Sequence, residues 1–434
     1  MPRQKSQHVD SAQAAGERLR LAREAAGLSQ RQLSFPGCSP AYISRIEAGD
    51  RIASLQLLRQ LGERLGVSAD YLATGTDPQA HRQTLMDADL ARRFDDVDRA
   101  RELYEGILAE SKDPAERADA FEGLGHIAFR AGHPRDAVSR FEEALVTSGD
   151  RDFDRPGLAE NLGRAYAALG ELAPSIAIFD RCLQEYEQRA DLVASVRFAC
   201  LLAYALTDSG NLNRAEQVVA KALRAGEELT DPHTRARVYW SQAKLRAERG
   251  DAEASARYAH RALALIELTE DTDLIGLAHR IVAYAELDRD RPEEALHHLD
   301  EGWPLLERSG TPLEQAHYKI DKARALIRLG RESEAASLAM QVTGQLGDAM
   351  PEDAGRTYAL LADVYVELGE TARAQELYEL SAEFLKPNNP NRYLAEVYAK
   401  LASLHEGEGR RDQAYDYMKL ALGMQQAVAA RARV

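Results

Sequence analysis

The chain has 434 residues, 45% of them apolar but only 6% aromatic, and acidic residues outnumber basic ones by 15. That length exceeds one ordinary core unless a repeat carries most of it. The abundance of Ala, Leu, Glu and Arg favours helix over sheet, no run of about 18 apolar residues is present to span a bilayer, and the negative balance argues against a chain that binds nucleic acid along its whole length.

The opening MPRQKSQHVDSAQAAG has basic residues with no apolar segment behind them, so residues 1–15 read as a flexible polar arm and not a secretory signal. Charge is unevenly shared. Residues 1–75 hold ten Lys/Arg against seven Asp/Glu, a net of +3, and the remainder holds 45 against 63, a net of −18. Affinity for a polyanion therefore belongs to the first sixth of the chain. Five short helices follow from caps and periodicity there. The first starts near Ser11, places Leu19 and Ala22 on one face and stops at Gly27. Ser29 caps the second, with Gln32 completing a capping box. Phe35-Pro36-Gly37 breaks the chain, Ser39 caps the third with Pro40 in its first turn, and Gly49 lies beyond its end. A fourth runs from about Leu55 to Leu65 before Gly66, and Ser68 caps a fifth containing Tyr71 and Leu72.

The stretches GLSQRQL, SPAYISRIEAG and LLRQLGERLGVSADYL together resemble the phage-repressor and Cro (XRE) type of helix-turn-helix domain over residues 16–75. One departure is the link from Leu33 to Ser39, a residue shorter than usual, which leaves the angle between the two motif helices open. The resemblance implies that the third helix enters the DNA major groove N-terminus first. Ser39, Pro40, Ala41, Ser44 and Arg45 would then face the duplex, with Arg45 giving guanine two parallel hydrogen bonds and Pro40 and Ala41 meeting a thymine methyl. Gln30 would fix a phosphate, and Tyr42 and Arg51 would add backbone contacts. Leu33, Ile43, Ile46 and Leu58 read as core. Glu47 is expected to turn inward and pair with an arginine such as Arg23.

Beyond a short joint near Thr74–Pro78, one pattern repeats. LGHIAFRAGHPRDAVSRFEEAL from Leu124 and LGRAYAALGELAPSIAIFDRCL from Leu162 share Leu-Gly, a second Gly, a small residue and Phe in register. The second Gly recurs at 132, 170, 210, 250, 330, 369 and 409, with Asp290 in the one missing place, at spacings of 38, 40, 40, 40, 40, 39 and 40. Such a Gly permits a left-handed end to the first helix of a pair. Small residues (Ala137, Ser175, Ala215, Ala295, Ala335, Ala374, Ala414) let the second helix lie close, and Phe141, Phe179 and Tyr378 are expected to fill space between neighbouring pairs. The pattern resembles the tetratricopeptide repeat over residues 79–434, in about eight to nine units, the first irregular and carrying Ala88, Ala100 and Tyr104. The fold class expected is thus all-α: a five-helix head and a helical solenoid.

Chemistry is hard to find in the array. There is no Gly-rich phosphate loop, no HExxH, no convincing nucleophile and base, and His297-His298 point about 100° apart on a helix and cannot share a metal as a pair. Cys38, Cys182 and Cys200 form no CxxC and suit a reducing cytoplasm. No enzyme, metal or cofactor is expected. Binding is the better reading: first helices line the inner surface of such stacks, where successive units carry His126, Arg164, Tyr204, Lys244, Tyr284, Arg324, Asp363 and Ser403 at one position. Asn161, Arg197, Arg237, His317 and Arg356 sit at others. This basic and aromatic stripe suits a peptide with acidic groups or a free carboxylate, although ordinary salt bridges within the repeats are the competing reading. The whole plan resembles the peptide-sensing transcription regulators of Gram-positive bacteria, which often grip a peptide backbone with asparagines. Asn161 is the inward candidate here, whereas Asn211, Asn213, Asn388, Asn389 and Asn391 fall in turns. The expectation is a cytoplasmic homodimer on a near-palindromic operator, tuned by a signal peptide, protein or small ligand. The alternative is an adaptor that binds only proteins.

Overall fold

The computed structural model describes residues 9–75, 78–269, 271–343, 351–386 and 392–431. Most of the arm, the middle of the joint at 76–77, and Asn388, Asn389 and Asn391 lie outside them. Among the described residues there are 23 α-helices and no β-strand, and the chain divides into two compact units, Met1–Leu124 and Gly125–Val434.

In the head, each helix begins where a serine stops extended chain and accepts a backbone N–H of the coming turn. Ser11, Ser29, Ser39, Ser54 and Ser68 cap α1 (Ala12–Ala25), α2 (Gln30–Leu33), α3 (Pro40–Glu47), α4 (Leu55–Leu65) and α5 (Ala69–Thr74). The capping box of α2 is complete. Leu19, Leu33, Ile43, Ile46, Leu58, Leu61 and Leu72 form one core, each at most 1% exposed. Gly16 is indispensable to it: a Cβ there would stand 2.2 Å from the Ile46 carbonyl oxygen, so only glycine lets α1 rest on the end of α3. Arg18 closes the other side, donating to both Asp10 carboxylate oxygens and to the Leu72 and Ala73 carbonyls.

The short link is ordered by turn chemistry. Phe35 and Cys38 exchange two backbone hydrogen bonds of 3.1 and 2.8 Å, with Pro36 second and Gly37 third in the turn. Gly37 has φ +98°, the combination a type II turn requires. Cys38 is buried, and the Arg64 guanidinium lies 4.7 Å from the Phe35 ring centre.

Nine antiparallel pairs follow. They are α6 (Pro78–Arg93) with α7 (Val97–Glu110), α8 (Pro114–Arg130) with α9 (Pro134–Ser148), and α10 (Pro156–Ala168) with α11 (Leu172–Gln188). Next come α12 (Leu192–Asp208) with α13 (Leu212–Gly226), α14 (Pro232–Glu248) with α15 (Ala252–Ile266), and α16 (Thr272–Asp288) with α17 (Pro292–Ser309). The last are α18 (Pro312–Arg328) with α19 (Glu332–Thr343), α20 (Pro351–Glu367) with α21 (Thr371–Leu385), and α22 (Arg392–Gly407) with α23 (Arg411–Arg431).

The seven periodic glycines all have φ between +70° and +85°, and Asp290 takes the same conformation at +57°, as does Asp95 in the first pair at +64°. The small residues from Ala137 to Ala374 are fully buried. The large residues pack differently from the expectation. Phe141 and Phe179 seat on the glycine of their own pair: a Cβ at Gly125 or Gly163 would come within 2.5 Å of those rings. Phe179 also reaches the next pair through Phe198, 6.3 Å between ring centres. The reason is the Leu-Gly step, whose missing side chain leaves the hollow the ring occupies. All three cysteines are free and buried, and burial pushes the Cys200 thiol up to about 11.

Candidate nucleic-acid interface and array cavity

Helix α3 is two-faced. Ile43 and Ile46 point into the head core, while Ser39, Pro40, Ala41, Ser44 and Arg45 are exposed. Arg51, just past the helix, is exposed too, its guanidinium 6.0 Å from the ring centre of half-buried Tyr42. Glu47 is turned inward, its side chain 4% exposed. Arg23 donates to both its oxygens, at 2.6 and 3.0 Å, and Gln30 Nε2 donates to Oε2 at 2.7 Å. Arg23 also donates to the Leu28 carbonyl. One carboxylate thus ties α1, α2 and α3 together and is withdrawn from the exposed face. Gln30 is held with one of its two amide hydrogens, and the other remains to donate.

In the array most of the expected inner residues fall into three groups; His317, with Nε2 2.8 Å from the Thr357 hydroxyl, belongs to none of them. The first surrounds Glu160, 5% exposed in α10. Arg197 of α12 donates to it through Nε at 2.5 Å, and the guanidiniums of Arg164 (α10) and Arg237 (α14) lie 3.7 and 3.8 Å away. One buried negative charge therefore gathers three partly exposed positive ones, leaving two uncompensated. Sequence reasoning found the arginines and missed the acid, although Arg197 and Arg237 follow it by about one and two repeat lengths. Asn161 and His126 form the second group, with Nδ2 to Nε2 at 3.4 Å and the imidazole edge-on to Phe141.

The third group borders a cavity of about 530 Å³. Tyr204, Lys244 and Tyr284, from α12, α14 and α16, line one side with Trp240 and Arg280; Arg356, Tyr393 and Lys400, from α20 and α22, line the other. Arg392 holds the two sides together. It donates to the Thr207 and Asp208 carbonyls at 3.3 and 3.2 Å and pairs with Glu248 at 2.9 Å, joining the last pair to α12 and α14. This clasp was not legible beforehand, because no repeat spacing relates its ends.

The cavity's cations are partnered: Lys244 with Asp208 at 2.7 Å and over the Tyr204 ring, Arg280 with Asp321 at 2.9 Å, Lys400 with Asp363 at 2.5 Å, and Arg356 over the Tyr393 ring at 4.1 Å. Burial holds the Tyr204, Tyr284 and Tyr393 phenols above their ordinary value. It also raises the Asp321 carboxyl, against the opposing pull of Arg280 and Arg324. Arg324 stands apart from the lining, 3.9 Å from Glu367.

Histidines gather elsewhere. His298 (α17) has the rings of His260 (α15) and His279 (α16) at 5.3 and 5.4 Å, with Nδ1 of His279 at 3.2 Å. His260 pairs with Glu286 at 2.8 Å. Among the described residues no set of three His, Cys, Asp or Glu is arranged to hold a metal, and no helix is long and apolar enough to cross a membrane.

Residues 14–74 match the model of a helix-turn-helix domain, and residues 395–427 that of a tetratricopeptide repeat. Residues 199–386 match the C-terminal domain of Suppressor of spindle checkpoint defect 1. The chain is an all-α protein with an XRE-type helix-turn-helix domain at its N-terminus and tetratricopeptide repeats toward its C-terminus. Solved structures narrow the fold further. The chain is similar to NprR in complex with its cognate peptide NprX, at 14% identity over 76% of this chain and 94% of that one, TM-score 0.53. A Rap protein complexed with competence and sporulation factor is 13% identical over 96% and 99%, TM-score 0.51. The apo quorum sensor NprR from B. thuringiensis is 15% identical over 95% and 97%, TM-score 0.50. At these identities the likeness concerns the fold. No curated protein sequence matches the chain.

Proposed function

We propose that this protein is a cytoplasmic, sequence-specific transcription regulator whose head, residues 16–75, reads DNA. Its array, residues 79–434, pairs two copies and takes a ligand that tunes the reading. The observation that carries this is the division of α3: an arginine, a serine and two small residues exposed on one side, with its acid locked inward on Arg23. In this docking mode Arg45 reads guanine, Ala41 and Pro40 contact a thymine methyl, and Ser39, Ser44, Tyr42 and Arg51 support them. Gln30 offers its remaining amide hydrogen to a phosphate. A two-fold dimer spaces its half-sites about 34–36 Å apart, or a multiple of that, on a near-palindromic operator.

For the array we favour a peptide with a free or side-chain carboxylate. The excess positive charge around Glu160 supports that chemistry, and an array of the same fold holds a peptide in the NprR complex. His126, Asn161, Tyr204, Lys244, Tyr284 and Arg324 are the further contacts proposed. The test begins with selection of bound DNA from a random pool at several salt concentrations. The regulator reading requires a preferred site and a steep fall of affinity with salt. Gln30→Ala should weaken all sequences alike. Absence of any preferred site would leave an adaptor that binds proteins alone.

A further inference from the structure

Two histidines that neither the DNA contacts nor the ligand contacts use meet on the seam between α16 and α17. Glycines make that seam close. A Cβ on Gly302 would stand 3.1 Å from the Gly276 carbonyl oxygen and 2.8 Å from the Cβ of His279. The helices run antiparallel, so one turn forward from Gly276 on α16 lies opposite one turn back from Gly302 on α17. Those places belong to His279 and His298, and their Nδ1 atoms stand 3.2 Å apart.

Two neutral imidazoles that face each other through Nδ1 share one hydrogen, the one ring donating and the other accepting. The same spacing is that of two ligands on one metal ion. At a Zn–N length of 2.0–2.1 Å, nitrogens 3.2 Å apart subtend about 100–106° at the metal, close to the tetrahedral angle zinc takes. A square-planar ion would want them about 2.9 Å apart and a linear one about 4 Å. Burial holds both rings below the ordinary imidazole value, His298 at about 4. Both are therefore neutral at pH 7, the form that binds a metal. Loading requires only a change of tautomer. The hydrogen between the rings leaves one Nδ1 while the Nε2 of that ring gains one from solvent, so both Nδ1 lone pairs reach the ion and no net proton is lost.

We propose that His279 and His298 form a zinc site joining α16 to α17, with solvent in the remaining positions. Among the described residues no set of three His, Cys, Asp or Glu is arranged around one point. His260, whose ring meets that of His298 at 64°, keeps its Nε2 on Glu286. Two protein ligands are fewer than the four of a structural zinc site or the three of a catalytic one, so this ion exchanges with the medium. Its effect reaches the cavity, because α16 also supplies Leu277, Arg280 and Tyr284 to the cavity lining. An ion that pins α16 to α17 stiffens that wall.

Calorimetric titration of the tag-free, metal-stripped full chain with zinc sulfate tests the site, with circular dichroism confirming that each variant keeps its helix content. One zinc ion per chain should bind, and magnesium, which prefers oxygen ligands, should give no heat at the same concentration. His279→Gln and His298→Gln should each weaken zinc binding at least about tenfold, the smallest loss seen even for residues that only support a ligand. His133→Gln, in a different pair, should leave it unchanged. X-ray absorption at the zinc edge reads the ligands directly and should show two imidazoles with oxygen completing the shell. Absence of zinc uptake overturns the site, as does uptake undiminished in both variants. A shell of oxygen or sulfur alone overturns it too, and a third imidazole overturns the two-histidine geometry. None of these outcomes bears on whether the head reads DNA.

Discussion

The head and the array solve the same packing problem with opposite economies. In the head, single contacts without duplicates decide the fold: Gly16 against the Ile46 carbonyl, Glu47 between Arg23 and Gln30, one turn at Pro36-Gly37. In the array each device recurs, so a left-handed turn, a buried small residue and a ring on a glycine appear again and again. A substitution in the head is therefore expected to act on the whole domain, and one in the array on a pair and its neighbours.

The largest difference should come from Gly16→Val. Forcing a side chain against the α3 carbonyl costs about 3 kcal/mol or more, enough to unfold a domain of this size. Specific DNA binding should vanish while the main thermal transition of the array stays in place; retained binding would show that α1 and α3 are not packed as described. Arg45→Ala probes the head's surface instead of its core. It should cost about 1–3 kcal/mol at the preferred operator and relax one base position, read by repeating the selection with the variant.

Histidine protonation should act on the array and not on residues 9–75, which contain no histidine. Burial and the neighbouring His260, His279 and His297 press His298 down to about 4, and burial presses His317 down to about 3. Between those values and the ordinary 6.5, the unfolded chain binds more protons than the folded one, so stability falls as pH falls through this window. By pH 5 the loss is roughly 2 kcal/mol for His298, with His317 acting in the same direction. His298→Gln should flatten the pH dependence of the array's melting temperature; an unchanged slope would rule the cluster out as its source. The smallest effect concerns the turn where Asp290 stands in the place of a periodic glycine. Asp290→Gly relieves a non-glycine residue at φ +57° and should stabilise by about 0.5–1 kcal/mol, whereas Gly330→Ala should destabilise by a similar amount.

What could be read in advance follows from the range of each interaction. The head helices were legible because a serine cap and its partner lie three residues apart, and the inward Glu47 because its neighbours on α3 leave it no other face. The repeat was legible because its glycines keep a nearly constant period. The clasp and the cavity were not, because they depend on the curvature accumulated over many pairs, which no local spacing encodes. The histidine cluster was missed for a related reason. His260, His279 and His298 stand 19 residues apart, half a repeat, so they alternate between first and second helices and escape a search for one recurring position.

Arg392 also changes how this array must mature. Stacks of helical pairs can usually acquire structure progressively from either end, because each unit consults only its neighbours. Here a side chain near the C-terminus holds carbonyls of Thr207 and Asp208, so the middle of the stack awaits a residue synthesised long afterwards. The inner chamber is consequently a late product of folding, and a nascent or truncated chain ending before α22 would carry the helix-turn-helix head without the closed cavity.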